Sequence, residues 1–119
     1  MSIHHEPQHT GEYLVSEANG ARSREQATLA AGNLPAGAVL AKNSGGDYIE
    51  LEPGGSAPKN KAVAVLYSAT DATADPAACV VHARDCEVAG ASLQWPDGAT
   101  DAQKATAIGN LETVGIIVR

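Results

Sequence analysis

The amino-acid sequence predicts a mainly β domain with one C-terminal helix, a minor α+β fold. Between Ser23 and Val88, short apolar segments alternate with turn-forming residues, which is typical of all-β chains. A single segment near the C-terminus has the cap and the apolar periodicity of a helix. With 119 residues the chain has the length of one domain. We divide it into an N-terminal arm, residues 1–22, and a folded domain, residues 23–119.

The composition of residues 1–22 predicts a flexible arm. These residues are mostly polar, so they bury too little apolar surface to offset an ordering cost of about 1–2 kcal/mol per residue. The exception is Tyr13, Leu14 and Val15, whose side chains favour a short strand that could add to the edge of a partner's sheet. These three residues are our candidate partner-binding site. We expect a chain lacking residues 1–22 to keep a folded body.

Six strands are predicted in the body, at residues 28–30, 38–41, 48–51, 62–67, 79–83 and 85–88. Breaks between them are expected at Gly32-Asn33, at residues 43–46 and 53–55, and in a loop over residues 71–76. The segment 62–67 is apolar without alternation, which predicts a strand buried on both faces. Residues 85–88 alternate polar and apolar side chains, which predicts a half-buried strand.

The predicted helix begins after a turn over residues 95–98, where a Pro-Asp-Gly sequence follows Trp95. Thr100 and Gln103 have the spacing of a capping box, and Gly115 is a natural end. The apolar face of the helix is expected at three residues spaced by three, Ala105, Ile108 and Leu111. A last strand is predicted at residues 116–118. Trp95 either packs into the core at this corner or is exposed at a subunit or partner contact.

Composition and charge disfavour several functional classes. The chain has 8 Lys and Arg against 14 Asp and Glu, a net charge of -6, which is the wrong sign for binding a phosphate backbone. No apolar run approaches the roughly 20 residues of a membrane span, and the first residues lack the pattern of a signal peptide. We therefore expect neither nucleic acid nor a membrane as a partner. Because the chain has no Phe, its core is thin, and we expect oligomerisation or docking on a larger partner to stabilise it.

Cys79, His82 and Asp85 are the strongest candidates for catalysis or metal binding, since a thiol, an imidazole and a carboxylate occur within seven residues. Their spacing argues against a site, because residues three apart on a strand point to opposite faces. Cys79 and Cys86 are instead expected to fill the core as small apolar side chains. We expect no cofactor and no metal.

A second cluster of possible ligands lies at the start of the chain, where His4, His5 and His9 could together hold a transition metal weakly. No cysteine accompanies these imidazoles, and no packed residues orient them, so we interpret them as solvated. Any use of the three histidines is left open.

The C-terminal segments carry a resemblance to a known family. The sequence of residues 89–108, with Leu-Gln-Trp-Pro-Asp-Gly-Ala-Thr at its centre, and the final Gly-Ile-Ile-Val-Arg resemble the lambda-type head decoration protein D family of tailed phages. Further similar segments follow in family-like order at residues 23–32, 38–42, 64–67 and 71–73. The resemblance covers roughly residues 22–119.

This resemblance implies a capsid-stabilising protein with a β-clip-type, small barrel-like fold that forms homotrimers. Such a trimer would bind the major capsid protein on the outer surface of the expanded head, at threefold and quasi-threefold positions. It would stabilise the shell against the pressure of packaged DNA, with an arm that becomes ordered on the capsid. Its location would be the virion, after assembly in the host cytoplasm. Two alternatives remain: a small thiol- or metal-dependent enzyme using Cys79, His82 and Asp85, and a monomeric β-clip module that binds a ligand.

Overall fold

The computed structural model describes residues 9–119; residues 1–8, which include His4 and His5, lie outside the described part. Within that range the chain forms ten strands and one α-helix in the following order: β1 Leu14–Glu17, β2 Arg24–Leu29, β3 Gly32–Leu34, β4 Val39–Lys42, β5 Tyr48–Glu50, β6 Ala64–Leu66, β7 Thr70–Ala72, β8 Ala77–His82, β9 Cys86–Val88, α1 Asp101–Thr113 and β10 Ile116–Val118. The predicted class, mainly β with one C-terminal helix, is confirmed.

A closed five-stranded barrel forms the centre of the domain, in the order β2-β5-β4-β6-β8. Most neighbours are antiparallel, and a short parallel contact between Leu29 of β2 and Tyr48 of β5 completes the closure. The barrel confirms the predicted small barrel-like fold. Because the barrel is closed, it has no exposed strand edges. Such edges are where an open sheet can pair with other chains and aggregate.

Two strands of the barrel separate two apolar cores. In β6, Ala64 and Leu66 point into a cluster inside the barrel, and Val65 points into a second cluster outside it. In β4, Leu40 and Val39 divide in the same way. All three residues of β6 are buried, as predicted for an apolar segment without alternation.

A three-stranded sheet, β1-β9-β10, covers the outer cluster. β1 runs antiparallel to β9, and β10 runs parallel to it, so Val88 of β9 pairs with Leu14 on one side and Val118 on the other. In β9 the ends are buried and the middle residue is half-buried, as its alternating sequence predicted.

The helix α1 closes the outer cluster from one side and packs on β10. Its predicted cap is confirmed: the Thr100 side chain accepts a hydrogen bond from the Gln103 N–H, and the Gln103 side chain accepts one from the Thr100 N–H. The predicted apolar face is wrong in part. Of the predicted residues, Leu111 is buried, Ile108 is half-buried and Ala105 is exposed. Ala107, four residues before Leu111, is buried although it was not predicted. The apolar face of the helix is therefore an i, i+4 pair, Ala107 and Leu111, rather than a set of residues spaced by three.

Two segments that the sequence predicted as turn and loop are strands. Residues Gly32–Leu34 form β3, and Thr70–Ala72 form β7, which overlaps the first two residues of the predicted 71–76 loop. The two strands pair antiparallel as a separate two-stranded sheet. Gly32 has a φ of 93°, which is compatible with the predicted break, yet its pairing with Ala72 makes it part of a ladder. Pairing between distant segments therefore overrides the local turn signal.

The N-terminal boundary also differs from the expectation of an arm through residue 22. β1 is a strand of the domain's own sheet, and Tyr13 is fully buried. Gly11 donates a hydrogen bond to the Tyr67 carbonyl, and a Cβ at Gly11 would lie 3.1 Å from the Tyr67 ring. Further along, the buried Ser23 hydroxyl bridges the Ala18 N–H and the Asp85 carbonyl. From Gly11 onward the described chain is therefore fixed to the body.

Candidate functional site

The edge formed by β1 is the candidate contact surface of the domain. β1 is the outermost strand of its sheet, and within residues 9–119 no strand pairs with its outer side. An edge strand presents backbone N–H and C=O groups that an extended partner can use. Val15 on this strand is 53% exposed, and it is the exposed large hydrophobic side chain of the described residues. An apolar side chain thus marks an edge available for pairing.

The three residues predicted to bind a partner occupy different environments. Val15 is exposed, Leu14 is half-buried against the outer core cluster, and Tyr13 has no exposed surface. The Tyr13 ring belongs to that cluster and its hydroxyl points to His82. Of the three, Val15 has the side chain that a partner could reach directly, and Tyr13 contributes by fixing the strand.

Beneath β1 lies a polar network that joins the strand to the barrel. The ring of His82, at the end of β8, is fully buried and uses both nitrogens: Nδ1 meets the Tyr13 hydroxyl, and Nε2 lies 2.6 Å from Oε2 of Glu17. Arg24 of β2 donates two hydrogen bonds to the same carboxylate, at 2.7 and 3.2 Å. The Arg24 guanidinium also lies 4.4 Å from the centre of the Tyr67 ring. One carboxylate is thereby held by two cationic or polar partners from the barrel.

The ionisation states of this network follow from its surroundings. The hydrogen bonds from Arg24 lower the pKa of Glu17, so the carboxylate is ionised and accepts. Burial raises the pKa of Tyr13, so its hydroxyl keeps its proton and donates to Nδ1. Burial also lowers the pKa of His82, against the opposing influence of Glu17. The ring is therefore neutral near pH 7 and carries its hydrogen on Nε2, where it donates to Glu17.

The residues of the alternative catalytic site are not brought together. Cys79 packs inside the barrel, His82 faces Tyr13 and Glu17, and Asp85 is exposed in the turn between β8 and β9, 3.4 Å from Arg22. Burial raises the pKa of the Cys79 thiol. Burial also raises the pKa of the Cys86 thiol, to about 11. A thiol with a raised pKa is a poor nucleophile at neutral pH.

Both cysteines are buried free thiols in core clusters, which confirms their predicted packing role. Across residues 9–119, no three His, Cys, Asp or Glu side chains are grouped so that they could hold a metal ion. In the same range, no helix has the length and apolar character needed to cross a membrane.

Trp95 lies at the corner that precedes α1. It is half-buried and packs against the outer core cluster, so it contributes to the core and also keeps exposed surface. The turn after it lies one residue later than predicted, over residues 96–99: the Ala99 N–H donates a hydrogen bond to the Pro96 carbonyl, and Gly98 has a φ of 78°. The structure is compatible with both predicted roles of Trp95, and a contact with another subunit stays a prediction.

The His82 network is the part of the site that sequence reasoning missed. Tyr13 and His82 are 69 residues apart, and Glu17 and His82 are 65 apart, so no local motif connects them. A signal existed in the pattern, since β8 ends in a histidine after an apolar segment, where an unpaired imidazole would be costly.

The chain is similar to a known protein family over nearly its whole length. The family model described as bacteriophage lambda head decoration protein D matches residues 3–116, nearly the whole chain. A search of curated proteins found no match.

Proposed function

Since the chain belongs to the bacteriophage lambda head decoration protein D family, we propose that it binds as a homotrimer to the outer surface of the expanded phage head. The sites are the threefold and quasi-threefold positions, where the trimer holds neighbouring major capsid proteins together. Membership makes the chain a structural protein of the virion capsid. We further propose that the barrel is of the β-clip type and that the trimer is assembled in the host cytoplasm before it binds these positions on the head.

The observation that carries the proposal is the extent of the family match, residues 3–116. A match of this length includes the barrel, strands β1 and β9, and α1 rather than one shared motif. The structure adds support from chemistry, because the cysteines of the described residues are buried with raised pKa values instead of being prepared for catalysis. A stabilising role needs only a rigid body and a contact surface.

We propose that the contact is made by strand addition at β1. An extended segment of the capsid protein pairs with the outer edge of β1 and covers Val15, which is 53% exposed. Tyr13 and Leu14 act from inside, by holding β1 in place. A single short strand binds weakly, but three on one trimer raise the effective affinity by about 10²- to 10⁴-fold.

Binding that is restricted to the expanded lattice would stabilise that lattice alone. A ligand stabilises the state it binds by an amount set by its concentration relative to its Kd. A trimer that meets three capsid edges only at the spacing of the expanded shell therefore shifts the shell toward expansion. The same geometry explains why a thin-cored domain can act as a stabiliser.

The direct test mixes the purified protein with expanded and with unexpanded heads and separates bound from free protein by sedimentation. We expect saturable binding to expanded heads only, and a trimer in analytical ultracentrifugation at micromolar concentration. A monomer that binds neither form of head would contradict the proposal and favour the monomeric module.

The contact is tested with Val15→Lys, which places a charge on the proposed pairing edge. Ala105→Lys is the matched control, because Ala105 is exposed on α1 and gains the same charge. We expect Val15→Lys to weaken head binding at least tenfold while Ala105→Lys binds normally. Equal binding by the two variants would remove β1 from the contact.

The arm is tested by deleting residues 1–8 rather than residues 1–22. The longer deletion removes Tyr13 and Glu17, and with them both partners of the buried His82 ring. The expectation that a body without residues 1–22 stays intact therefore conflicts with the structure. The shorter deletion leaves every described contact in place, so a loss of head binding would assign a role to residues 1–8.

A further inference from the structure

We propose that Tyr13, His82 and Glu17 form an acid-sensitive latch, in which His82 is the positioning residue that holds β1 in its sheet. The latch itself is independent of what the protein binds. Its consequence, weaker attachment to heads in mild acid, rests on the proposed function.

The geometry of the latch spans the whole of β1. Tyr13 immediately precedes the strand and Glu17 is its last residue, and the single His82 ring contacts both, one through each nitrogen. The ladder between β1 and β9 is irregular between Leu14 and Ser16, so the backbone pairing of β1 is interrupted in its middle. One barrel side chain therefore secures both ends of a strand whose own ladder is incomplete.

The groups that face His82 come from every element around it. Tyr13 and Glu17 approach from the β1 side, Arg24 from β2, and the Tyr67 ring packs edge-on at 5.5 Å between ring centres. The nearest carboxylate, Glu17, already accepts two hydrogen bonds from Arg24. A positive charge on His82 would thus be fully buried and close to a second cation, with one shared carboxylate to balance both.

Protonation also breaks the hydrogen-bond order of the latch. In the neutral ring, Nδ1 accepts the Tyr13 hydroxyl hydrogen. A proton taken from solvent onto Nδ1 makes that nitrogen a donor, so the Tyr13 oxygen must accept and its own hydrogen loses the acceptor it had. A buried polar group left without a partner is destabilising. Opening of β1 relieves this conflict, because the imidazolium and the hydroxyl can then meet water.

The direction of the pH effect follows from linkage. In the open form His82 titrates near the ordinary value of 6.5, whereas burial keeps its pKa lower in the latched form. Below pH 6.5 the open form therefore binds more protons, and acid favours opening. The opening equilibrium rises by at most about tenfold for each pH unit, as long as the latched ring stays neutral. Between pH 7.5 and pH 5 the limit is about 30-fold.

The test measures amide hydrogen exchange by NMR at pH 7.5 and pH 5, corrected for the intrinsic pH dependence of exchange. We expect the opening of β1, measured at Val15 and at Ala18, whose N–H donates to the Asp85 carbonyl, to increase by about 5- to 30-fold. Val65 of β6 and Val81 of β8 should change less than twofold. Equal changes in β1 and in the barrel, or no change in β1, would overturn the latch.

The decisive variant is His82→Gln. A glutamine amide can accept from Tyr13 through its oxygen and donate to Glu17 through its nitrogen, but it does not titrate. We expect the variant to lose the acid-induced opening of β1, whereas His9→Gln, which removes a different histidine, should keep it. Retention of the pH response in His82→Gln would overturn the proposal. Should His82→Gln fail to fold, the comparison of strands in the native protein still decides.

Head binding separates the latch from the proposed function. We expect the native protein to bind expanded heads several-fold more weakly at pH 5 than at pH 7.5, and His82→Gln to bind alike at both. If exchange responds to acid as expected but heads are not bound at either pH, the latch stands and the proposed function fails. If heads are bound at both pH values and exchange in β1 does not respond, the function stands and the latch fails.

Discussion

Replacement of Tyr13 by Phe isolates the hydroxyl of the latch from the packing of its ring. The Tyr13→Phe variant keeps a ring of the same shape in the outer core cluster, where Tyr13 has no exposed surface. It leaves Nδ1 of the fully buried His82 without the donor it has in the native protein. A buried polar group left unpaired costs about 1–3 kcal/mol.

This cost converts into a measurable change in melting temperature. For a domain of roughly 100 residues, 1 kcal/mol lowers the Tm by about 4 °C, so we expect a decrease of about 4–12 °C. Thermal unfolding followed by circular dichroism at pH 7.5 measures it, at one fixed protein concentration because oligomerisation would raise the Tm.

Tyr48→Phe is the matched control for this experiment. Tyr48 is also buried, at 4% exposure. Within residues 9–119 its hydroxyl makes no hydrogen bond, whereas the Tyr13 hydroxyl contacts His82. We expect its Tm to change by less than about 2 °C, in line with a free-energy change below about 0.5 kcal/mol. A Tyr13→Phe variant that melts with the native protein, or two variants that fall equally, would refute the role assigned to the Tyr13 hydroxyl.

Three further predictions concern the whole domain. The free energy of unfolding should be nearly constant between about pH 6.5 and pH 8, below the range in which the unfolded chain ionises the cysteines. It should fall below pH 6.5, because the unfolded chain protonates His82 first, and again below pH 4.5, as the unfolded chain protonates Glu17, whose native pKa is lowered. Urea unfolding across this range measures both steps, and stability that rises with acid would contradict them. Leu111→Ala should lower the free energy of unfolding by about 2–5 kcal/mol in the same assay, since this side chain of α1 is fully buried in the outer core cluster. A loss below about 1 kcal/mol would contradict a core role for Leu111. Thr100→Ala should cost about 1 kcal/mol through loss of the capping box, and Thr100→Asp should restore most of it.

The parts of the fold that depend on neighbouring residues could be predicted from the sequence. The cap at Thr100 and the stop near Gly115 are local, so the helix was predicted with nearly correct bounds. The apolar run around Val65 and the alternation around Cys86 report burial directly, so β6 and β9 were also predicted. These signals lie within a few residues of the features that they predict.

The parts that depend on distant partners could not be predicted in this way. β3 and β7 exist because Gly32–Leu34 and Thr70–Ala72 pair with each other, and each alone has the composition of a turn. The polar N-terminal residues predicted an arm, but burial of Tyr13 and its contact with His82 fix β1 to the body. Burial of one aromatic ring thus outweighs the polar composition of the segment around it.

The pairing of Val88 with both Leu14 and Val118 has a consequence for how the protein folds. Strands from opposite ends of the described chain meet at one residue, so this sheet closes a loop that contains the entire barrel. Contacts of such long range slow folding, because the entropy of closing the loop is lost before the pairing is gained. During synthesis the barrel strands leave the ribosome well before β10, and the sheet must wait for it. Because β9 lies between β1 and β10, it is the strand on which both ends of the described chain are assembled.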